Sequence, residues 1–315
     1  METIPSKSKS NSTIMINYSF IIPHHNSPKL LERCLDSIPQ RNDIEIIVVD
    51  DNSDADKKAY SYRGDVRIIN IDVEHTKGAG RARNYGMKEA RGKWILFADC
   101  DDFYIDGFLE ELDKVTESTY DVVIWDYYAY YLVSYNRWKE IDANLYMKAL
   151  SYDNNNKLLQ KALKFRVNAP WNKMYNGEFL KKNNFRFEEK PVGNDAFFSM
   201  SVMDSARNVG FIYKRLYYWV KSEKGLTQGR KKETMIYKRT LNEADKIKIK
   251  NHAWGAINPF HAGMAALMKQ YGILYMASHY IKKLFNGTPW FHVYYQRCMF
   301  VRNAKKVIAS KIKAN

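Results

Sequence analysis

The chain has 315 residues, of which 45% are hydrophobic and 27% charged, so it is not disordered as a whole and has room for one large domain or a domain with an appendage. Its three cysteines, Cys34, Cys100 and Cys298, lie far apart and in no metal-ligand spacing, which argues against a disulfide framework and a zinc site. The net charge of +15 belongs to one end, because residues 221–315 contain 19 basic and 4 acidic side chains while residues 1–220 contain 31 of each. We therefore predict a neutral region followed by a basic one.

The chain begins with a polar segment rich in serine and lysine. Residues 1–15 lack the apolar core of a signal peptide, and the chain contains no run of about 18 apolar residues. We therefore expect a disordered leader on a cytoplasmic protein that neither enters a secretion route nor spans a membrane.

Apolar strands and amphipathic helices alternate over the next 110 or so residues. Continuous apolar strands joined by helices indicate a parallel sheet that is covered on both faces. Ligands of such sheets bind beyond the carboxyl ends of the strands, so acidic residues that follow two different strands are expected to share one crevice. The predicted strands are 16–23, 44–49, 66–71, 94–98 and 121–125, and the predicted helices begin near Pro28, Gly80 and Asp106.

The pattern is less regular in the later part of the neutral region. An aromatic, β-like stretch covers residues 127–138, a helical pattern covers 151–164, and a final strand covers 209–220. From there the sequence is basic, aromatic and helical. We predict an α/β domain at 16–228 and a basic helical extension at 229–315.

Three carboxylates lie within four residues after one predicted strand. Asp99, Asp101 and Asp102 repel one another unless a cation neutralises them or solvent screens them. Hard oxygen ligands at this density suit Mg²⁺ or Mn²⁺, which keep open positions for substrate phosphates. A second interpretation remains open, because aspartates after a strand also cap and begin a helix.

Three further segments each have a functional and a structural interpretation. Residues 50–53, Asp-Asp-Asn-Ser, fit either a turn or a set of acceptors for the hydroxyls and base of a nucleotide. The glycine- and arginine-rich segment 77–86 fits a phosphate cradle or a flexible turn, and it lacks the spacings of P-loop and dinucleotide-binding proteins. Asp195 opens an apolar helix, for which a capping role is sufficient.

Six short segments occur in a recognisable order. They are SFIIPHHN (Ser19–Asn26), IIVVDDNSDAD (Ile46–Asp56), GAGRARNYG (Gly78–Gly86), WILFADCDD (Trp94–Asp102), WNKMY (Trp171–Tyr175) and GNDAFF (Gly193–Phe198). In this order they resemble the segments of family-2 glycosyltransferases, including those that build bacterial capsular and other surface polysaccharides. The resemblance implies an α/β fold of the GT-A type, Rossmann-like, with a mostly parallel central sheet flanked by helices.

The resemblance also implies roles for single residues on the donor side. Pro23 and Asp51 would line the base and ribose pocket, and Arg83 would approach the nucleotide. Asp99 and Asp101 would form the Asp-X-Asp element of the family.

On the metal and acceptor sides, Asp101 and the neighbouring Asp102 would hold Mn²⁺ or Mg²⁺ against the donor diphosphate. Asp195 would be the catalytic base that deprotonates the acceptor hydroxyl, with Trp171 and Asn194 shaping the acceptor side. Two positions depart from the family pattern, because residues 24–25 are His-His where a small residue and tyrosine are usual, and Asn194 stands where glutamate is usual.

The expected function is metal-dependent, inverting transfer of a sugar from a nucleotide-diphospho-sugar, with UDP as the nucleotide, to a hydroxyl of a glycan or a lipid-linked oligosaccharide. Two alternatives remain. A sugar-nucleotide pyrophosphorylase would begin with a glycine-rich loop, which residues 21–26 lack. A catalytically silent nucleotide-sugar-binding scaffold would keep the fold without the activity.

The basic extension combines lysines and arginines with many aromatic residues. This mixture suits an anionic membrane surface, where rings lie at the headgroup level and basic side chains meet lipid phosphates. We therefore expect peripheral association with the inner face of the cytoplasmic membrane through residues 229–315. Helices that only pack on the α/β domain are the alternative, and no nucleic-acid-binding motif accompanies the charge.

Overall fold

The structure is a computed structural model that describes residues 15–61, 63–71, 78–131, 142–190, 193–221, 243–251, 253, 273–274 and 290–314. Eight strands form one sheet in the order β3-β2-β1-β4-β7-β6-β8-β5. The strands are β1 (Tyr18–His24), β2 (Ile44–Asp50), β3 (Val66–Asn70), β4 (Trp94–Phe97), β5 (Phe103–Tyr104), β6 (Val122–Tyr131), β7 (Lys173–Asn176) and β8 (Val209–Lys221). The helices are α1 (Pro28–Asp36), α2 (Ala79–Glu89), α3 (Phe108–Asp113), α4 (Asp142–Tyr152), α5 (Lys157–Arg166), α6 (Gly177–Lys182), α7 (Asp195–Ser205), α8 (Glu243–Lys250) and α9 (Trp290–Ala314).

One half of the sheet is parallel, as the apolar strands predict. Strand β1 pairs in parallel with both β2 and β4, and β2 pairs in parallel with β3. All seven residues of β1 and all seven of β2 are buried, which explains why both strands are apolar without alternation. Helix α2 lies close to β1, since a Cβ on Gly86 would come within 2.3 Å of a methyl carbon of Ile21.

The other half of the sheet is mixed. Strand β7 is antiparallel to both β4 and β6, β6 and β8 are parallel, and β5 is antiparallel to β8. The β6–β8 register shifts on both sides of Asp126, where the strands are irregular. The sequence analysis did not predict β7 as a strand. Strand β4 is equally short but entirely apolar, whereas β7 reads Lys-Met-Tyr-Asn and lacks an apolar run that would mark it.

Two predicted elements have different boundaries in the structure. The helical pattern predicted at 151–164 corresponds to two helices, because α4 ends at Tyr152 and α5 begins at Lys157. The side chain of Asn156 accepts a hydrogen bond from the backbone N–H of Leu159 at 3.2 Å and so caps α5. The aromatic strand predicted from residue 127 is continuous with the strand predicted at 121–125, as β6 runs to Tyr131. Residues 132–138 and the predicted leader, except its last residue, lie outside the described residues.

The described helices of the predicted extension pack on the α/β domain. The fully buried ring of Phe300 in α9 lies 6.3 Å from the ring of Tyr146 in α4, and α8 is tied to α7 by an ion pair of 2.9 Å between Lys250 and Asp204. Most of the helical pattern at 254–289 lies outside the described residues. Within the described part of the chain, every helix is too short or too polar to cross a membrane.

Candidate active site

The turn after β2 holds two adjacent aspartates with different surroundings. Asp50 is buried, and its carboxylate accepts hydrogen bonds from the backbone N–H groups of Ser53 at 2.8 Å and Ala59 at 2.7 Å. The Nδ1 of His24 at the end of β1 adds a third contact at 3.0 Å. Asp50 is therefore used to hold the turn together.

Asp51 is also buried, and its two carboxylate oxygens have different surroundings. Its Oδ2 accepts a hydrogen bond from the backbone N–H of Gly78 at 2.9 Å, so the residue joins β2 to the start of α2. Its Oδ1 lies 3.9 Å from Arg81 and accepts no hydrogen bond from a described residue. Pro23 is buried on the neighbouring strand, paired with Val49. This end of the crevice thus offers a buried acceptor beside an apolar ring.

His24, one of the departures from the family pattern, is neutral and structural. Its Nε2 accepts a hydrogen bond from the backbone N–H of Ser27 at 3.2 Å, so the proton lies on Nδ1 and is donated to Asp50. Burial lowers the pKa of His24, and the Asp50 carboxylate only partly opposes this. The histidine therefore connects the first two strand ends without carrying charge.

The acidic cluster lies at the end of β4, as predicted. Ligand oxygens of Asp99, Asp101 and Asp102 all lie within 4.8 Å of one another. Burial raises the pKa of Asp101 to about 6, and the charge of Asp99 adds to the increase. Burial raises the pKa of Asp102 even more strongly, with Asp99 and Asp101 contributing. Such mutually repelling carboxylates form a set that a divalent cation would stabilise.

The three carboxylates are held differently. Asp102 is 1% exposed, and its oxygens accept hydrogen bonds from the Tyr217 hydroxyl at 3.0 Å and the backbone N–H of Val220 at 2.7 Å. Asp99 and Asp101 are partly exposed, and the Asp101 carbonyl accepts a hydrogen bond from Arg33 at 2.5 Å. Asp102 is thus anchored to β8, while the other two carboxylates face the crevice.

Arg83 connects the two sides of the crevice. Its guanidinium donates one hydrogen bond to the carboxylate of Asp99 and another to Oδ1 of Asn194 at 3.1 Å. The guanidinium also lies 5.3 Å from the ring centre of Phe187. Because Asn194 is the residue before Asp195, this one side chain brings the acidic cluster and the predicted base together. The asparagine that departs from the family pattern serves here as an acceptor for Arg83.

Asp195 is the first residue of α7. Burial raises the pKa of Asp195, while the nearby cations Arg83 and Lys173 lower it and Asp99 raises it further. Its carboxylate accepts no hydrogen bond from another side chain in the described part of the chain. A partly exposed carboxylate with a raised pKa, to which no described side chain donates a hydrogen bond, has the properties that a general base needs.

Trp171 belongs to an aromatic stack that starts at the acidic cluster. Its ring is stacked on Tyr217 with centroids 5.0 Å apart and on Trp219 with centroids 5.8 Å apart, and the edge of Tyr127 approaches at 4.6 Å. Trp171 itself is only 5% exposed, whereas Trp219 is partly exposed. Trp171 therefore lies within this stack, with little of its ring exposed.

The sequence analysis missed three residues that build this site. Tyr217 binds both the Asp102 carboxylate and the backbone N–H of Asp99, which donates to its hydroxyl at 3.1 Å. Arg33 and the fully buried Lys173 are the others. Of the three, only Lys173 could have been found from the sequence. It lies in the segment WNKMY beside apolar and aromatic residues, and a lysine in such a segment indicates a buried position.

Comparison with known proteins places this geometry in a family. The sequence profile of glycosyl transferase family 2 matches residues 19–183, just over half of the chain. Glycosyltransferase GlyA of Streptococcus pneumoniae is 30% identical over 62% of this chain and 29% of its own length. The GalNAc(5)-diNAcBac-PP-undecaprenol beta-1,3-glucosyltransferase of Campylobacter jejuni is 33% identical over 34% of this chain and 36% of its own length. The matched region spans well under two thirds of either relative.

Among solved structures, residues 1–349 of Staphylococcus aureus TarS in complex with UDP-GlcNAc share the fold. The TM-score is 0.62 at 19% identity, with 95% of this chain and 93% of that chain covered. This likeness confirms the predicted GT-A architecture of a mostly parallel sheet with flanking helices. Together with the profile match, it leads to one conclusion. The chain belongs to glycosyltransferase family 2.

Proposed function

We propose that the protein transfers a sugar from a nucleotide-diphospho-sugar to a hydroxyl of a glycan acceptor, as the catalytic unit of a surface polysaccharide pathway. The contact of Arg83 with both Asp99 and Asn194 carries this proposal. Asp99 is 16 positions from Arg83 in the sequence, and Asn194 is 111 positions from it. These two contacts bring the acidic groups to one side of a crevice and Asp195 to the other. A transferase needs both a donor diphosphate site and a base for the acceptor within reach of one anomeric carbon.

For the donor we propose a UDP-sugar. The Oδ1 of Asp51, which accepts no hydrogen bond from a described residue, would accept one from an N–H of a base or a ribose hydroxyl, and Pro23 on the neighbouring strand would line the same pocket. The TarS crystal structure with bound UDP-GlcNAc supports this choice of nucleotide. Arg83, whose guanidinium binds Asp99 and Asn194, would approach the nucleotide.

We propose Mn²⁺ or Mg²⁺ as the cofactor. Asp99 and Asp101 would hold the ion, with Asp102 as the third carboxylate, anchored by Tyr217. Three oxygens within 4.8 Å of one another suit a hard cation. When bound, such an ion would stabilise negative charge that develops on the departing diphosphate.

Asp195 would act as the base in a direct displacement. The acceptor oxygen attacks the anomeric carbon from the face opposite the diphosphate, its proton passes to the Asp195 carboxylate, and the bond to the diphosphate oxygen breaks. A sugar hydroxyl is a poor nucleophile at neutral pH, so this proton transfer is needed as the new bond forms. A single displacement inverts the anomeric configuration.

The acceptor would be a glycan or a lipid-linked oligosaccharide, presented at a membrane. The solvent side of α9 supports this, because its basic side chains and Ile312 are exposed together near the end of the helix. Basic residues beside an exposed apolar side chain favour anionic lipid surfaces. Binding to vesicles of anionic but not neutral lipid would support the assignment. The exposed basic residues are Arg302, Lys305, Lys306, Lys311 and Lys313.

The test is calorimetric titration of UDP-, GDP- and other nucleotide sugars, each with Mn²⁺ and with a chelator, followed by NMR of the transfer product. We expect metal-dependent binding of a UDP-sugar and a product of inverted anomeric configuration. Binding without turnover on any glycan acceptor would favour the scaffold alternative. Formation of a nucleotide sugar from a nucleoside triphosphate and a sugar phosphate would favour the pyrophosphorylase alternative.

A further inference from the structure

Lys173 in β7 is a buried cation whose hydrogen bonds all go to uncharged oxygens. Its side chain has no exposed surface, and its Nζ donates to the carbonyls of Val167 at 2.9 Å and Ala169 at 2.6 Å and to Oδ1 of Asn172 at 2.8 Å. Three acceptors match the three protons of an ammonium group. A neutral amine would leave one of these oxygens facing a lone pair, so the hydrogen bonds favour the charged form, whereas burial disfavours it.

The loop that Lys173 binds also contacts the helix of the predicted base. The Lys173 ammonium donates hydrogen bonds to the carbonyls of Val167 and Ala169. The hydroxyl of Ser199 donates to the carbonyl of Asn168, which lies between them in the chain. Ser199 lies four residues after Asp195 in α7, so the two side chains share one face of the helix. The loop 167–169 therefore links the Lys173 ammonium to α7 at Ser199, one turn after Asp195.

The charge of Lys173 acts on Asp195. The charged and titratable groups that face this carboxylate are Arg83 from α2, Asp99 from the end of β4, and Lys173 and the phenol of Tyr175 from β7. Arg83 is already bound to Asp99. Burial lowers the pKa of Lys173 to about 7, and the negative charge of Asp195 opposes that decrease. Lys173 is thus a cation near Asp195 that forms no ion pair within the described part of the chain.

We propose that Lys173 is a positioning residue for the catalytic base, which fixes Asp195 through the loop 167–169 and keeps it ionised through a buried positive charge. This inference rests on the proposed function, in which Asp195 is the base. Lys173 has no exposed surface and is enclosed by its own loop, so it acts through Asp195 and not on the substrate. The positive charge of Lys173 lowers the pKa of Asp195, although burial and Arg83 act on that pKa more strongly.

The test compares Lys173→Gln and Lys173→Met with the wild type in transfer assays across pH 5 to 9. Both changes remove the charge, and glutamine retains two N–H donors for the loop carbonyls. We expect kcat at pH 7 to fall by about 10- to 100-fold while the donor KM changes by less than about 2-fold. Without the cation, Asp195 holds its proton more tightly, so the acid limb of the kcat profile moves to higher pH.

Lys164→Met is the matched control. Lys164 is partly buried, and its Nζ donates a hydrogen bond to the carbonyl of Ala206 at 3.4 Å. The carboxylates that raise its pKa are Asp204 and Asp121, not Asp195. The acid limb of the kcat profile of Lys164→Met should coincide with that of the wild type. Ser199→Ala separates the two contributions, since it loosens the loop while leaving the charge in place. We expect it to lower kcat without moving the acid limb.

Asp195→Asn distinguishes the failure of this inference from the failure of the proposed function. Transfer by Asp195→Asn near the wild-type rate would overturn the proposed function and this inference with it. If Asp195→Asn is inactive but both Lys173 variants keep the wild-type acid limb, only the inference is overturned. Should the Lys173 variants not fold, NMR titration of the Lys173 side chain still decides. Its pKa should fall in Asp195→Asn, and an unchanged value would overturn the inference.

Discussion

The two halves of the sheet build their parts of the crevice in different ways. In the parallel half, β3-β2-β1-β4, the site residues directly follow strand ends, with Asp51 after β2 and the cluster Asp99–Asp102 after β4. In the mixed half, β7-β6-β8-β5, they come from within strands and from the start of a helix, as Lys173, Tyr217 and Asp195 do. The first arrangement is local in sequence, whereas the second depends on how distant segments pack.

The base on the mixed half should give the largest effect. In Asp195→Asn an amide replaces the carboxylate and cannot accept the acceptor proton, so we expect kcat to fall by about 1,000-fold or more. Affinity for the donor and metal should stay within about 2-fold, because that site belongs to the parallel half. Steady-state kinetics and calorimetry on the same protein measure both quantities. Equal losses in kcat and donor affinity would contradict the division between the halves.

A substitution in the acidic cluster on the parallel half should lower the affinity for the donor. Asp101→Asn removes one carboxylate of the set within 4.8 Å, and we expect the metal-dependent affinity for the nucleotide sugar to fall by about 10- to 100-fold. Binding measured with a chelator should be unchanged. Glu117→Gln is the control, since that side chain is 85% exposed and paired with Lys93. The same loss in both variants would show a general charge effect in place of a metal site.

The contact between the halves can be disrupted without touching a charged group. A Cβ on Gly80 would come within 2.2 Å of the carbonyl of Glu188 and 2.8 Å of Cβ of Asn194. We expect Gly80→Ala to lower the free energy of unfolding by about 1–3 kcal/mol and to reduce kcat, because the segment before α7 must move away from α2. Gly64→Ala is the control, with no atom within 4 Å of its added Cβ. Equal melting temperatures for the two variants would contradict this packing.

The smallest expected effect concerns His24, at the junction of β1 and β2. Its pKa is lowered by burial in the folded state, so the unfolded chain binds the proton more readily. Stability from this group is therefore present above the ordinary histidine pKa of about 6.5 and is lost as the pH falls below it. Thermal melts from pH 8 to pH 5 should fall less steeply for His24→Asn than for the wild type, by about 2 °C. His25→Asn, at an exposed position, should keep the wild-type slope.

The sequence predicts the site residues of the parallel half better than those of the mixed half. The strand ends that carry Asp51 and Asp99 are predictable because a buried strand followed by acidic residues is a local pattern. The contact of Arg83 with Asn194 joins residues 111 positions apart, and local periodicity contains no information about it. Strand β7 escaped prediction because its sequence, Lys-Met-Tyr-Asn, contains no apolar run, and the contacts of Lys173 escaped prediction with it.

The resemblance to a family, and not the pattern of residues, singled out Asp195. As a sequence feature it is one of many aspartates that begin a helix. In the structure its carboxylate is partly exposed, and its pKa is raised by burial and lowered by Arg83 and Lys173. Burial and charge of this kind arise only when the chain is folded, so they are properties that sequence reasoning could not supply.

The most direct test of the account is the position of Mn²⁺ in crystals grown with UDP, located by anomalous diffraction. The account predicts one strong peak within coordination distance of the Asp99 and Asp101 carboxylates, bridged to the diphosphate, with the Asp195 carboxylate across the same crevice. A peak elsewhere on the protein, or UDP bound outside the ends of β1, β2 and β4, would contradict it.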